Sequence, residues 1–121
     1  MELQILPQDF TVCQIPTTKN IDFSHEFVFL FKTDDEISLV CETAHKPANA
    51  TACEVGWRAL KISGILDFGM VGVIAKIAGL LAEAGISIFV ISTYNTDYVL
   101  VKAEKLADCV QVLEGAGYVL R

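Results

Sequence analysis

The order of two helical segments and four strand-like runs in residues 57–121 constrains the fold of this chain most. Each helical segment carries apolar residues at helical spacing and ends in glycine, the residue that most readily closes a helix. The first apolar stripe is Ile74, Ile77, Ala78 and Leu81, with Gly85 as the predicted end, and the second is Leu106, Cys109, Val110 and Leu113.

Strand-like runs precede, separate and follow these two helices. "WRALKISG" alternates apolar and polar residues, and "ISIFVIST" is β-branched and nearly all apolar, which is typical of a strand buried on both faces. "YVLVKAE" and "YVLR" supply two more runs. The order is β-α-β-β-α-β, for which right-handed crossovers place both helices on one face of a four-stranded antiparallel sheet. We therefore predict an α+β, ferredoxin-like unit.

The first half is rich in strands and has no long amphipathic helix. "ELQILPQDFTVCQIP" starts as a strand that is broken at Pro7 and Pro16. "EFVFLFKT" and "EISLVCET" alternate, which predicts a hairpin across residues 33–35. The segments "TTKNIDFSHE" and "HKPANATACE" are loop-like. The aromatic stripe Phe27, Phe29 and Phe31 is predicted to face the core.

One short segment of the first half is echoed in the second. "DEISLV" at 35–40 matches "TDYVLV" at 96–101 in length, pattern and final Leu-Val, which sets Glu36 opposite Asp97. Six residues are consistent with coincidence and with a degenerate first copy of the same fold.

The charge balance excludes several classes of partner. The net charge is -6 and the sequence pI is about 4.7, whereas nucleic acids and anionic membranes attract Lys/Arg-rich surfaces. No stretch reaches the roughly 18 apolar residues of a membrane span, and the N-terminus has no signal-peptide pattern. We expect no nucleic acid and no membrane as partner, and a cytoplasmic protein.

The cysteines and histidines do not form a metal or catalytic motif. The four cysteines make no CxxC pair, and only His25 and His45 are available as nitrogen ligands. Cys53 with His45 could be imagined as nucleophile and base, but no third group orients them. We expect buried, reduced cysteines, surface histidines, no metal, no cofactor and no enzymatic activity.

A polar segment without glycine joins the two runs "ISIFVIST" and "YVLVKAE". It consists of Thr93, Tyr94, Asn95, Thr96 and Asp97. These side chains could hold a ligand, or they could only satisfy the backbone of a turn.

Four segments, "LPQDFTVCQIP", "DEISLVCE", residues 56–93 from "GWRALKISG" to "FVIST", and "YNTDYVLVKAE", resemble small tandem ACT-domain proteins. These regulatory amino-acid-binding units occur on aspartokinases and arginine-sensing proteins. The resemblance implies a degenerate ACT-like subdomain at 1–56, an ACT domain at 57–121, and a small ligand at an ACT–ACT interface.

The resemblance also implies a set of ligand-binding residues. The loop and helix start contribute Asp67, Phe68, Gly69, Met70, Val71 and Gly72, although the Asp-x-Pro-Gly hallmark of many ACT loops is not matched. The segment Ser92 to Asp97 resembles the part of the family's fold that forms the neighbouring wall of the site, and Glu36 and Ser38 lie at the matching strand start of the first half.

The chemistry of these residues suits an amino acid. The helix start offers backbone N–H groups to a carboxylate, and Asp67 and Asp97 can accept from an ammonium or a basic side chain. Simpler roles are an N-cap for Asp67, a turn residue for Asp97 and a solvated edge charge for Glu36.

Function and assembly follow from the same resemblance. We expect a non-catalytic regulatory module that binds an amino acid and acts on an enzyme or another protein. An open sheet edge predicts a homodimer or a tight association of the two halves. The alternative is a ligand-free pairing module. An RNA-binding domain of the same plan is disfavoured because the acidic charge opposes it and its stacking aromatic pattern is missing.

Overall fold

The computed structural model of the chain describes residues 1–64 and 71–121. These residues divide into two compact units, the larger formed by Met1–Pro7 with Arg58–Arg121 and the smaller by Gln8–Trp57. Residues 1–7 thus belong to the larger unit, although they lie inside the predicted subdomain 1–56. Each unit has its own buried apolar cluster.

The described residues form strands, two α-helices and two short 3-10 helices. The strands are β1 (Glu2–Ile5), β2 (Phe10–Gln14), β3 (Val28–Lys32), β4 (Ile37–Glu42), β5 (Ala52–Ile62), β6 (Ile88–Ser92), β7 (Asp97–Lys102) and β8 (Val119–Leu120). The helices are α1 (Val73–Glu83) and α2 (Leu106–Gly115), and the 3-10 helices are Thr43–His45 and Ala103–Lys105. No helix in this part of the chain has the length and apolar character needed to cross a membrane.

The larger unit has the predicted β-α-β-β-α-β order, from β5 through α1, β6, β7 and α2 to β8. β6 pairs with β7 in an antiparallel ladder, and β7 also pairs with β5. Both helices bury their apolar stripes against the same sheet face. The core consists of Leu60, Ile62, Val99 and Val101 from the strands and Ile77, Leu81, Cys109 and Leu113 from the helices. The predicted α+β, ferredoxin-like fold is confirmed.

A strand from the N-terminus enlarges this sheet beyond the four predicted strands. β1 pairs antiparallel with β5, where Leu3 lies opposite Ile62, and parallel with β8, where Leu3 lies opposite Leu120. The side chain of Leu3 is fully buried in the core of the unit. The expectation of a four-stranded antiparallel sheet is therefore wrong, because residues 57–121 alone carry no sign of a strand contributed by residues 2–5.

Both helices end at the predicted glycines. Gly85 has φ 74°, and the N–H of Ile86 donates to the carbonyl of Leu81 at 2.9 Å. Gly117 has φ 97°, and the N–H of Tyr118 donates to the carbonyl of Leu113 at 3.1 Å. These are the bonds of a Schellman motif, whose left-handed residue is usually glycine because a Cβ is strained there.

The smaller unit has the same strand order without the helices. β2 pairs with β4 and with β5, and β3 pairs with β4, all antiparallel, which gives the order β3-β4-β2-β5. The larger unit has the order β6-β7-β5-β8, interrupted only by β1. All residues of the smaller unit are described, and it has no α-helix.

The sequence echo is one residue out of register. β3, β4 and the first 3-10 helix begin at residues 28, 37 and 43, and β6, β7 and the second 3-10 helix begin at 88, 97 and 103, each 60 positions later. The hairpin turns agree, because Thr33 N–H donates to Glu36 and Thr93 N–H donates to Thr96. Glu36 therefore corresponds to Thr96 and not to Asp97.

Several local expectations are wrong. β5 begins at Ala52, inside a segment predicted to be a loop, because pairing with β2 extends it. β6 is mostly half-buried rather than covered on both faces. Phe31 is 40% exposed and lies outside the core, and Cys53 is exposed, unlike the other three cysteines. The expectation of surface histidines holds for His45, which is exposed, whereas His25 is half-buried and its ring stacks on that of His45 at 3.7 Å.

Candidate functional site

One end of the sheet in the larger unit gathers several loops and helix termini. The hydroxyl of Thr96 donates to the carbonyl of Ile62 at 2.9 Å, which fixes the β6–β7 turn beside the end of β5. The N–H of Ser63 donates to Glu2, and the N–H of Val119 donates to Met1, both at 3.0 Å. Four segments therefore meet at the same end of the sheet: the start of the chain, the end of β5, the β6–β7 turn and the start of β8.

A cavity of about 320 Å³ opens between the ends of the two helices at this edge. We call it the helix-end cavity. It is bordered by the start of α1, by the residues that follow α2 and by the N-terminal residue. Its lining residues are Met1, Val71, Gly72, Val73, Lys76, Ala116, Gly117 and Tyr118.

The start of α1 gives the cavity a positive side. Gly72 is the N-cap residue, with φ 80°, and its carbonyl accepts the first helical bond from the N–H of Lys76 at 3.0 Å. The first N–H groups of a helix have no intrahelical acceptor, and Gly72 brings no side chain that could accept from them. The ammonium of Lys76 adds a cation, 5.8 Å from the ring centre of Tyr118. Backbone N–H groups, helix dipole and ammonium all favour an anion.

The end of α2 gives the cavity a negative side. The carbonyl of Leu113 accepts from the N–H groups of Ala116 and Tyr118, both at 3.1 Å, and that of Glu114 accepts from Gly117 at 3.0 Å. The last carbonyls of a helix carry the negative end of its dipole. One cavity is thus bordered by two helix ends of opposite polarity.

A second cavity, of about 300 Å³, lies at the β6–β7 turn. We call it the turn cavity. It is lined by Lys61, Gly64, Thr93, Asn95, Thr96 and Tyr98. The ammonium of Lys61 lies 5.8 Å from the ring centre of Tyr98, so this wall carries a cation over an aromatic face.

The hydroxyls of the turn are committed to the backbone. Thr93 Oγ1 donates to the carbonyl of Thr96 at 3.0 Å and accepts from its N–H at 3.3 Å. The hydroxyl of Thr96 is engaged by Ile62, and its side chain is buried. For these two residues, the simpler role of satisfying the local backbone is the one found.

The remaining predicted residues of the turn and of the first half differ in exposure and in hydrogen-bond partners. Tyr94 is 82% exposed, and Asp97 is half-buried opposite Ser92 in the β6–β7 ladder. The hydroxyl of Ser38 donates to the carboxylate of Glu36 at 2.6 Å. Glu36 borders a third cavity, of about 420 Å³, which belongs to the smaller unit.

The predicted site residues are therefore distributed over separate places. Val71 and Gly72 line the helix-end cavity, and Thr93, Asn95 and Thr96 line the turn cavity. Asp67, Phe68, Gly69 and Met70 lie outside the described residues. The alternative of Asp67 as the N-cap of the helix is wrong, because Gly72 holds that position.

Sequence reasoning missed much of the lining of the helix-end cavity. Lys76 is the one basic residue in the apolar helix α1, and this contrast could have marked it as a candidate site residue. Tyr118 follows the glycine that ends α2 and could have been singled out as a residue next to a helix terminus. Met1 carries no such signal, because its place depends on the pairing of β1.

Comparisons with known proteins agree with this architecture. A model of the ACT domain matches residues 52–115. The human protein "Cytosolic arginine sensor for mTORC1 subunit 1" is 42% identical over 59 residues, which cover 48% of this chain and 18% of that protein. The match thus spans less than a fifth of the length of this relative.

Solved structures show the same fold over nearly the whole chain. Protein Atu0741 from Agobacterium tumefaciens has a TM-score of 0.86 and 29% identity, covering 99% of this chain and 91% of that one. The regulatory subunit of aspartate kinase from Thermus thermophilus, in its ligand-free form, has a TM-score of 0.66 and 9% identity, covering 95% and 96%. The latter likeness concerns the fold alone. Because the family model matches more than half of its residues, this chain belongs to the ACT domain family.

Proposed function

We propose that this chain is a non-catalytic regulatory module that binds an amino acid in the helix-end cavity. The observation that carries the proposal is the pairing of two oppositely polarised helix ends around about 320 Å³ of space. A zwitterion needs donors for its carboxylate and acceptors for its ammonium a short distance apart, and the two helix ends supply both.

Each part of the ligand has a counterpart in the cavity. The carboxylate is bound by the first N–H groups of α1 and by the ammonium of Lys76, since charge-assisted bonds of this kind are strong. The ammonium of the ligand is bound by the backbone carbonyls of Ala116 and Gly117, which follow α2 and line the cavity. The ligand side chain packs against Met1, Val71 and Tyr118, which line the same cavity.

The predicted loop and turn residues are assigned roles around this cavity. Asp67 to Met70 remain in the proposed site because they directly precede Val71 and Gly72 in the sequence. Asp67 is proposed to accept from a basic group of the ligand. Thr93 and Thr96 hold the turn beside β5. Gly64 lines the turn cavity, and Val71 lines the helix-end cavity.

A second copy of the chain is proposed to cover the site. Val71, which lines the cavity, is 95% exposed, and Val119, which follows the lining residue Tyr118 in sequence, is 46% exposed. A homodimer that buries them would place the ligand at an ACT–ACT interface and would let the ligand alter the assembly.

We further propose a cytoplasmic location and a regulated enzyme or other protein as downstream partner, supported by the name of the arginine-sensor relative.

A thermal screen tests the proposal. The protein is melted with each of the twenty amino acids, and a ligand at a hundred times its Kd adds about 2.7 kcal/mol to the free energy of unfolding. For a domain of this size the melting temperature then rises by roughly 10 °C. If no amino acid changes the melting temperature at millimolar concentration, the chain is a ligand-free pairing module instead.

A further inference from the structure

Two cysteines of the smaller unit face each other across neighbouring strands. Cys13 on β2 is the register partner of Cys53 on β5, and their Sγ atoms lie 3.5 Å apart. Directly opposed residues of an antiparallel pair have Cα atoms about 4.5–5.5 Å apart, which falls within the roughly 4.4–6.8 Å that a disulfide requires. The backbone therefore holds both sulfurs ready for a bond without rearrangement of the strands.

The two thiols differ in access to solvent. Cys53 is exposed, whereas Cys13 is 1% exposed. Burial, and next the hydrogen bond to Cys53, raise the pKa of the Cys13 thiol to about 12. Because the thiolate is the reactive form and an oxidant must reach it, Cys53 is the thiol that reacts first.

We propose that Cys13 and Cys53 form a reversible oxidative modification site, in which hydrogen peroxide converts the two thiols into a disulfide. In the first step the Cys53 thiolate attacks a peroxide oxygen, the O–O bond breaks, and Cys53 becomes a sulfenic acid as water leaves. In the second step Cys13 attacks the sulfur of Cys53, the S–S bond forms, the S–O bond breaks, and a second water carries away the thiol proton. The two thiols lose two electrons and two protons, and the peroxide takes up both.

A third cysteine, Cys41 on β4, is a competing partner for Cys13. It is buried, and its register partner on β2 is Thr11, not Cys13. Burial raises the pKa of the Cys41 thiol, and its hydrogen bond with Cys13 lowers it. Cys13 and Cys41 are thus both buried thiols, and an oxidant in solvent reaches neither before Cys53.

Peptide mapping tests the inference without reference to the proposed ligand. The reduced full-length protein is treated with hydrogen peroxide, unfolded in the presence of iodoacetamide and cleaved after glutamate. Cleavage at Glu36, Glu42 and Glu54 places Cys13, Cys41 and Cys53 on separate peptides. We expect a linked pair of the Cys13 and Cys53 peptides, two hydrogens lighter than the separate thiols, and its loss after dithiothreitol.

Single variants identify the order of events. Cys13→Ser should leave a sulfenic acid on Cys53 that dimedone traps, Cys53→Ser should abolish oxidation of Cys13, and Cys109→Ser in the larger unit should change nothing. If Cys13→Ser fails to fold, Cys53→Ser still tests the inference, because Cys53 is exposed and its replacement should not disturb the fold. A Cys13–Cys41 link, an unchanged Cys13, or Cys53 carrying two or three oxygen atoms beside an alkylated Cys13 would overturn the inference.

Discussion

Lys76 places a positive charge near the N-terminus of a helix, where the helix dipole disfavours cations. It lies in the first turn of α1, which has no acidic residue, so its ammonium stands near the positive end of the dipole. Such a placement costs about 0.3–1 kcal/mol unless an anion compensates it. The contact with the ring of Tyr118 offsets part of this cost. A residue that is unfavourable for the helix but lines a cavity is better explained by a ligand than by stability.

Lys76→Gln should therefore separate stability from binding. We expect the free energy of unfolding without ligand to change by less than about 0.5 kcal/mol, since the lost ring contact and the relieved dipole oppose each other. The affinity for an amino acid should fall about tenfold or more, because a charge-assisted bond contributes about 1.5–3 kcal/mol. Chemical denaturation and isothermal titration calorimetry measure the two quantities.

Lys105→Gln is the matched control. Lys105 is an exposed lysine at the N-cap position of α2 and does not line the helix-end cavity. Its replacement should leave the affinity unchanged. Equal loss of affinity in both variants would mean that net charge, and not the position of Lys76, attracts the ligand.

Thr96 is predicted to be structural. Its side chain is 4% exposed, and its hydroxyl donates to the buried end of β5. Thr96→Val keeps the shape but leaves the carbonyl of Ile62 without this donor, which should lower the free energy of unfolding by about 1–3 kcal/mol. Ser92→Ala, at an exposed position of the same hairpin, should change it by less than about 0.5 kcal/mol. Urea denaturation compares the two, and equal effects would contradict the assignment.

The sequence alone left the polar residues of the β6–β7 turn with two roles each. A hydroxyl of threonine serves a turn or a ligand equally well, and only the position of its acceptor decides between them. For Thr93 and Thr96 the acceptors are backbone carbonyls. The N-cap of α1 was not predicted from the sequence either. Gly72 holds that position, whereas the stronger preference of Asp for N-caps had pointed to Asp67.

At the level of the helices, the glycines have opposite effects by position. Gly79 lies inside α1 with ordinary helical geometry, whereas Gly85 has φ 74°, and no described atom lies within 4 Å of an added Cβ at either site. Gly79→Ala should stabilise the protein by about 0.5–1 kcal/mol, because alanine loses less backbone entropy. Gly85→Ala should destabilise it by about 1–2 kcal/mol through left-handed strain.

Thermal denaturation of these two variants tests the assigned helix end. The same sign for both substitutions would contradict it, since the two changes differ only in backbone conformation. Gly79→Ala also provides a stabilised background in which weaker binding variants remain folded.

Both helices and their ends were predictable from the sequence, because the apolar stripes and closing glycines are local signals. The strand β1 beside β8 was not, because pairing between residues 2–3 and 119–120 leaves no local pattern. The extension of β5 back to Ala52 was missed for a related reason. Its first residues, such as Cys53 and Glu54, gain their strand geometry from pairing with β2 rather than from their own propensity.

At the level of the whole molecule, each unit has the strand order expected of the family, and only the larger one has α-helices among its described residues. The six-residue echo pointed to this likeness, but hydrogen bonds in the two hairpin turns were needed to correct its register. The family resemblance predicted a ligand site at the loop before α1. The resemblance could not predict that Val71 and Thr93 border different cavities, because a sequence motif does not record how far apart two segments lie in the fold.

The most direct test is a nuclear magnetic resonance titration of the ¹⁵N-labelled chain with the amino acid that raises its melting temperature most. We expect saturating ligand to shift the amide signals of residues 72–76 and 116–118, the two helix ends around one cavity. Lys76→Gln should weaken these shifts and Lys105→Gln should not. Shifts confined to residues 93–98, or no shift in any amide at saturation, would contradict binding between the helix ends.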